Sequence, residues 1–187
     1  GEDTHMKLTT RLLTLGTLVL ALGACSSGDL SKTDSGGVKL SITDFDQLPI
    51  YVSAAGDCCT VAVPSMTLAN VALDPTGTTS DLMNIEIQSY EVVYTREDSG
   101  SRVPPKLVQA IFGVVPVNGT DTLNNYPIIK QDQFNNQPFL DLKNYGRDLE
   151  TGTTVVRMRL TLRFFGRTLA GKEVDSTPAS FSIEVTP

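Results

Sequence analysis

The sequence predicts an all-β domain of two packed antiparallel sheets, and three observations carry the prediction. After Gly37 no stretch sustains the 3.6-residue apolar period of an amphipathic helix. Apolar and polar residues instead alternate with period 2 in several separate runs. Clusters of turn-forming residues separate those runs, and many short alternating runs with punctuated turns read as layered sheets.

The first run sets Val38, Leu40 and Ile42 against Lys39 and Ser41. In the second, Ile85 and Ile87 alternate with Glu86, and Tyr90, Val92 and Tyr94 then alternate with Glu91, Val93 and Thr95. The change of parity between Ile87 and Tyr90 predicts a β-bulge near Gln88 and Ser89. Leu107 to Val117 is apolar on both parities, and Pro116 argues for an edge or sheet-crossing segment. Burial on both sides is the expectation there; an exposed face would make it a docking site. Leu140 to Glu150 has room for one short helical turn. Thr154 to Phe165 is the clearest strand: Val156, Met158, Leu160, Leu162 and Phe164 share one face, and Arg157, Arg159, Thr161 and Arg163 the other. A final strand places Phe181, Ile183 and Val185 inside against Ser182 and Glu184. Turns are expected at Asp74-Pro75-Thr76-Gly77, Asp98-Ser99-Gly100, Asn118-Gly119 and Ala170-Gly171-Lys172.

Two of these stretches carry a resemblance. Ser89-Tyr90-Glu91-Val92-Val93-Tyr94-Thr95-Arg96 with Asp98-Ser99-Gly100 is similar to the third strand and following turn of fibronectin type III-like and other immunoglobulin-like domains. Arg159 to Arg167 followed by Ala170-Gly171-Lys172-Glu173-Val174 resembles the closing hairpin of bacterial immunoglobulin-like modules. The resemblance implies an immunoglobulin-like β-sandwich of about seven to nine strands over residues 38–187, and it implies no activity. The chain departs from antibody-type domains, having no Trp for the core and no Cys pair spaced to join the sheets. The core is therefore expected to rest on aliphatic residues, Phe and Tyr.

The N-terminal part decides where the domain is expected to work. Gly1 to His5, ahead of Met6, read as a non-native leader. Without them the chain has no histidine, which excludes Ser-His-Asp and Cys-His catalysis and imidazole-ligated haem or zinc. Lys7 and Arg11 form a positive n-region before Leu12 to Ala24, thirteen mostly apolar residues without a charge. Spanning a bilayer takes about 20 apolar residues, so this is the h-region of a signal peptide over residues 6–24. It ends in Leu22-Gly23-Ala24-Cys25, which resembles the lipobox of bacterial lipoproteins. The resemblance implies cleavage before Cys25, diacylglyceryl and further acyl chains on that residue, and, with Ser26 rather than Asp following, sorting to the outer membrane. Several acyl chains anchor stably, at about 0.8 kcal/mol per buried methylene. Residues 25–37 are then the lipidated cysteine and a polar tether, whose twelve residues Ser26–Gly37 span on the order of 20 Å. Removing residues 1–24 takes away Glu2, Asp3, Lys7 and Arg11, so the net charge stays at -6. An acidic body has no electrostatic reason to bind nucleic acid.

Candidate chemistry in the body is sparse. Cys58-Cys59, next to the turn-like Ala54-Ala55-Gly56-Asp57, could close on itself, join another chain or stay reduced. A vicinal disulfide stiffening the turn is the leading expectation, and a dithiol redox or soft-metal site the lesser one, since no Lys, Arg or His sits nearby to lower a thiol pKa. Arg157, Arg159, Arg163 and Arg167 form a basic stripe that could bind a carboxylate, sulfated sugar or phosphate. A charge ladder with Glu86, Glu91 and Glu184 on neighbouring strands is the preferred reading. Asp44 with Asp46, and Asp141, Asp148 and Glu150, could offer oxygens to Ca²⁺ or an acid–base pair to a glycosidase. They lack the Asp-x-Asp-x-Asp-Gly loop and any sign of convergence, and are expected to be solvated loop carboxylates. No P-loop, dinucleotide fingerprint or Gly-x-Ser-x-Gly occurs.

The sequence thus points to a non-enzymatic lipoprotein without cofactor or metal, acting as a structural or protein-interaction module of the bacterial envelope. A small-ligand or glycan-binding subunit of an envelope transport or export system, using Arg157, Arg159 and Arg163, is the alternative.

Overall fold

The computed structural model describes residues 36–55 and 60–187, all within one compact unit. The expected signal peptide, Cys25, most of the expected tether and the Cys58-Cys59 pair, with its expected vicinal disulfide, lie outside the described residues.

Nine strands account for most of the described residues: β1 (Val38–Asp46), β2 (Tyr51–Ser53), β3 (Thr60–Ala72), β4 (Ile85–Arg96), β5 (Leu107–Val115), β6 (Gly119–Lys130), β7 (Val156–Thr168), β8 (Glu173–Thr177) and β9 (Ala179–Thr186). One layer is the antiparallel set β1–β3–β6. The other is β5–β4–β7–β9, also antiparallel, with β2 added in parallel along β9. The architecture is all-β and sandwich-like, as the alternation predicts.

β8 joins the two layers. Its first residues pair with β7, Phe165 facing Asp175 and Arg167 facing Glu173. Ser176 and Thr177 then swing onto β1 opposite Leu40 and Ser41, and β9 resumes along β7 with Ala179 facing Leu162. Pro178 stands in the gap; with no N–H it has no ladder bond to give up there. The excursion takes the chain away from Phe164, whose buried N–H donates instead to Ser176 Oγ at 2.9 Å. That hydroxyl removes what would otherwise be an orphaned backbone donor.

The core is aliphatic and aromatic. Val156, Met158, Leu160, Leu162 and Phe164 of β7 are buried, as are Ile85, Ile87, Tyr90, Val92 and Tyr94 of β4. The register of β4 against both neighbours shifts between Ile87 and Ser89, which is the bulge that the parity change predicts. Tyr90 stacks obliquely on Phe164 with ring centroids 5.5 Å apart. Both β4 tyrosines cross the sandwich: Tyr90 Oη donates to the Pro127 carbonyl at 2.6 Å and Tyr94 Oη to the Ile128 carbonyl at 2.5 Å. These carbonyls belong to β6, where the register slips between Val61 and Ala62 of its partner β3. Burial pushes both phenols well above their ordinary pKa, so they stay neutral donors. With no Trp in the sequence, these two phenols link the layers.

Two short helices, α1 (Gln131–Phe134) and α2 (Phe139–Tyr145), follow β6. Phe134, Phe139 and Leu142 are their buried apolar residues, and the two phenyl rings lie 5.3 Å apart. α2 ends at Gly146, whose φ of 67° supplies the left-handed turn of a helix stop. It overlaps the expected helical turn; α1 was not foreseen.

Candidate functional site

The arginine stripe lies on the outward face of β7, because alternate residues of a strand face opposite ways. Arg157 Nε meets Glu184 of β9 at 2.9 Å, Arg159 Nη2 meets Glu97 at 2.7 Å, and Arg167 Nε meets Glu86 of β4 at 3.2 Å. Glu184 and Glu86 are directly opposite their arginines in the register. Arg163 faces Glu91, but Glu91 takes its ion pair from Lys106 at 3.2 Å. The arrangement is a ladder of alternating charge with Glu97 as a member that the sequence did not suggest. Three of the four guanidinium groups that an anionic ligand would need are thereby in ion pairs.

A second cluster of charge is buried, and sequence reasoning missed it. Arg96 continues the inward parity of Tyr90, Val92 and Tyr94, so the end of β4 carries a guanidinium into the domain. Its side chain is 3% exposed. Nε and Nη2 grip Asp98 at 2.7 and 2.9 Å, and Nη2 also reaches Asp148 Oδ2 at 2.8 Å. Asp148 is fully buried and accepts a further bond from the Thr151 hydroxyl at 2.7 Å. Glu150 sits 4.0 Å from Arg96 and accepts the backbone N–H groups of Ser101 and Arg102, each at 2.9 Å. The cluster ties the segment between β4 and β5 to the loop before β7.

The electrostatics follow from these contacts. Burial alone would raise Asp148 and Asp98, but donors overcome it: Arg96 and Thr151 at Asp148, and Arg96 with the N–H groups of Gly100 and Arg157 at Asp98. Both carboxyls are held below the usual carboxylate range, and Glu150 is held down by the Ser101 hydroxyl and two backbone donors. Each carboxylate is thus locked in the ionised state, the opposite of what a general acid requires.

The expectation of solvated loop carboxylates holds for Glu150, which is exposed in a turn, and is corrected for Asp141 and Asp148. Asp141, on α2, and Asp148 are both buried; Asp148 neutralises the Arg96 guanidinium that enters the interior. The Arg102 guanidinium is 3.9 Å from Asp141 Oδ2, too far for a hydrogen bond, and that oxygen has no such partner among the described residues. Asp44 and Asp46 are exposed on strand β1 rather than in a loop. Among the described residues no group of three or more His, Cys, Asp and Glu could hold a metal ion, and no helix is long and apolar enough to cross a membrane.

Leu107 to Val115 also departs from its expectation. Among the described residues β5 pairs only with β4 and is the edge strand that Pro116 suggests, but it is not buried on both sides: Phe112 is 74% exposed, with Val108 and Val114 also open to solvent. Leu107 and Val115 are its buried ends. Among the described residues no strand continues the layer past β5, and its outward face is open to solvent. No protein-family model, no curated protein and no solved structure matches the chain.

Proposed function

We propose that this protein is a lipid-anchored, non-enzymatic interaction module of the bacterial cell envelope: an immunoglobulin-like sandwich held at the outer membrane through acylated Cys25. The lipobox-like Leu22-Gly23-Ala24-Cys25 and the polar residues after it support the anchor. The strand order supports the immunoglobulin-like reading: a β1–β3–β6 layer facing a β5–β4–β7–β9 layer, closed by the β7–β8 hairpin.

The observation that carries the interaction role is the uncovered face of β5. Val108, Phe112 and Val114 are exposed on an edge strand that carries no charge from Leu107 to Val115. Edge strands that must avoid partners are usually blunted with charge or proline. By contrast, Asp98 and Asp148 are tied to Arg96, and three of the four β7 arginines are in surface ion pairs.

The test has two parts. Membrane fractionation of the wild type and Cys25→Ser should place only the wild type with membrane; co-fractionation of Cys25→Ser defeats the anchor. A photo-crosslinking residue at Phe112 should then give a discrete adduct in cells that Val108→Lys abolishes, whereas one at Ser182, on the outward face of β9, gives none. Equal labelling from both positions defeats the interaction role.

A further inference from the structure

We propose that the pole of the domain bearing Leu73, Leu82 and Leu169 rests directly on the lipid surface that holds Cys25. The inference builds on the lipid-anchor reading and adds an orientation and a contact to it.

The chain enters the domain among these three leucines. The Gly37 carbonyl accepts the N–H of Leu73 at 2.8 Å. A Cβ placed on Gly36 would lie 3.1 Å from Thr168 Cγ2 and 3.5 Å from Lys172 Cβ, so the entering backbone runs against the β7–β8 turn. That turn is bonded in its own right to the 3-10 turn Asp81–Met83: Leu169 N–H donates to the Asn84 carbonyl at 2.9 Å and Ala170 N–H to the Leu82 carbonyl at 3.0 Å. Three separate segments are thereby drawn around the entry point. Each presents a leucine to solvent, with Leu73 57%, Leu82 59% and Leu169 50% exposed. Single exposed leucines are ordinary; three around the point where an anchored tether arrives are not explained by packing.

Geometry favours this pole over the rest of the domain. Gly36 and Gly37 are already seated on the domain, and the ten tether residues before them reach on the order of 20 Å and at most about 35 Å. β4 starts at this pole with Ile85 and ends at Arg96 in the buried ionic cluster, and a twelve-residue strand is itself about 40 Å long. The tether thus keeps the leucine pole near the bilayer and, with the domain upright, the ionic cluster far from it. Exposed Asp74 and Asp81 lie at the same pole together with exposed Lys172, and this excess of acid suits a zwitterionic surface better than an anionic one. An upright domain would also leave the β5 face free for its partner.

The absence of Trp from the sequence makes the test direct. Leu169→Trp, Phe112→Trp and Tyr145→Trp place single reporters at the leucine pole, on the β5 face and at the end of α2. The full lipidated protein would be reconstituted into phosphatidylcholine–phosphatidylethanolamine vesicles containing brominated lipid, with acylation of Cys25 verified by mass. Groups seated about 5–10 Å into the interface are within reach of the bromines. Quenching is expected to be several-fold stronger for Leu169→Trp than for the other two, to fall to their level when Leu73→Ser and Leu82→Ser are added, and to weaken as phosphatidylglycerol replaces phosphatidylcholine.

Equal quenching at all three positions, or strongest quenching at Phe112→Trp or Tyr145→Trp, overturns the orientation while leaving the anchor intact. Undiminished quenching after the serine substitutions shows that the tether alone brings the pole near, and overturns the contact. A protein whose Cys25 carries no acyl chain overturns the anchor reading, and the inference falls with it.

Discussion

The guanidinium of Arg96 and the carboxylate of Asp148 meet 2.8 Å apart with side chains 3% and 0% exposed, across fifty-two residues of sequence. Among the described residues Asp148 has no other cation beside it, so removing Arg96 strands it, whereas removing Asp148 leaves Arg96 on Asp98. Arg96→Met is therefore expected to destabilise the domain by about 3–5 kcal/mol. Adding Asp148→Leu should restore a large part of the loss, because an apolar pair of similar volume carries no desolvation penalty. Urea denaturation of the two single variants and the double variant measures this. Additive losses would show that the two groups are not energetically coupled.

The same cluster sets an acid limit. Asp98, Asp148 and Glu150 ionise more readily in the folded chain than in the unfolded one. A carboxyl shifted in that direction adds stability that is fully present above its unfolded pKa of about 4 and is lost as pH falls through the lower, folded value. Tm is therefore expected to be flat from about pH 7 to pH 5 and to drop below about pH 4, with a shallower drop in Asp148→Asn. A Tm that falls equally steeply in wild type and Asp148→Asn would exclude Asp148 from the acid limit.

Tyr94 gives a cleaner measure of one bond across the sandwich. Tyr94→Phe keeps the ring and removes only the hydroxyl, leaving the Ile128 carbonyl without its donor. The expected cost is about 1–2 kcal/mol, read by chemical denaturation. Phe replaces Tyr at no cost only if water reaches that carbonyl.

Gly166 is required by contact rather than by backbone angle. A Cβ there would stand 2.4 Å from the Glu86 carbonyl of the neighbouring strand, so Gly166→Ala must push β4 and β7 apart next to the β4 bulge. A loss of about 1–3 kcal/mol is expected. Gly171→Ala is a useful contrast, since nothing lies within 4 Å of its Cβ position and the cost there comes from its φ of 88°.

The exposed arginine ladder should behave in the opposite way. Arg157→Ser and Arg159→Ser each remove a pair open to solvent and are expected to change stability by less than about 1 kcal/mol. The effect should shrink further at high salt, where the Debye length falls to about 3 Å. A larger, salt-insensitive loss would mean that the ladder does more than decorate the surface.

What was legible in the sequence follows from how strands are solvated. β7 and β4 each bury one face, so their alternation, the β4 bulge and the turns at Asp98 and Gly171 could be read residue by residue. β3 and β6 could not. Asn70 and Ala69 break the parity of β3 by being buried beside Leu68, and Pro64 and Pro127 interrupt both runs. Their strand character comes from pairing with each other and with β1, which no local pattern records. Arg96 was legible in principle, since its parity points inward, but the charge masked the pattern.

By itself the sequence determined the all-β class, the inward and outward faces of the main strands, the charge ladder's members on β7 and the lipobox-like motif, because each is a matter of residue type at short spacing. The tertiary structure alone decided that Arg96 finds Asp148, that β8 passes between layers and that, among the described residues, the outward face of β5 is left open. It also decided that three leucines distant in sequence gather where the chain enters. Those outcomes depend on which strands lie side by side, and long-range pairing is settled by the packing of the whole core rather than by any segment within it.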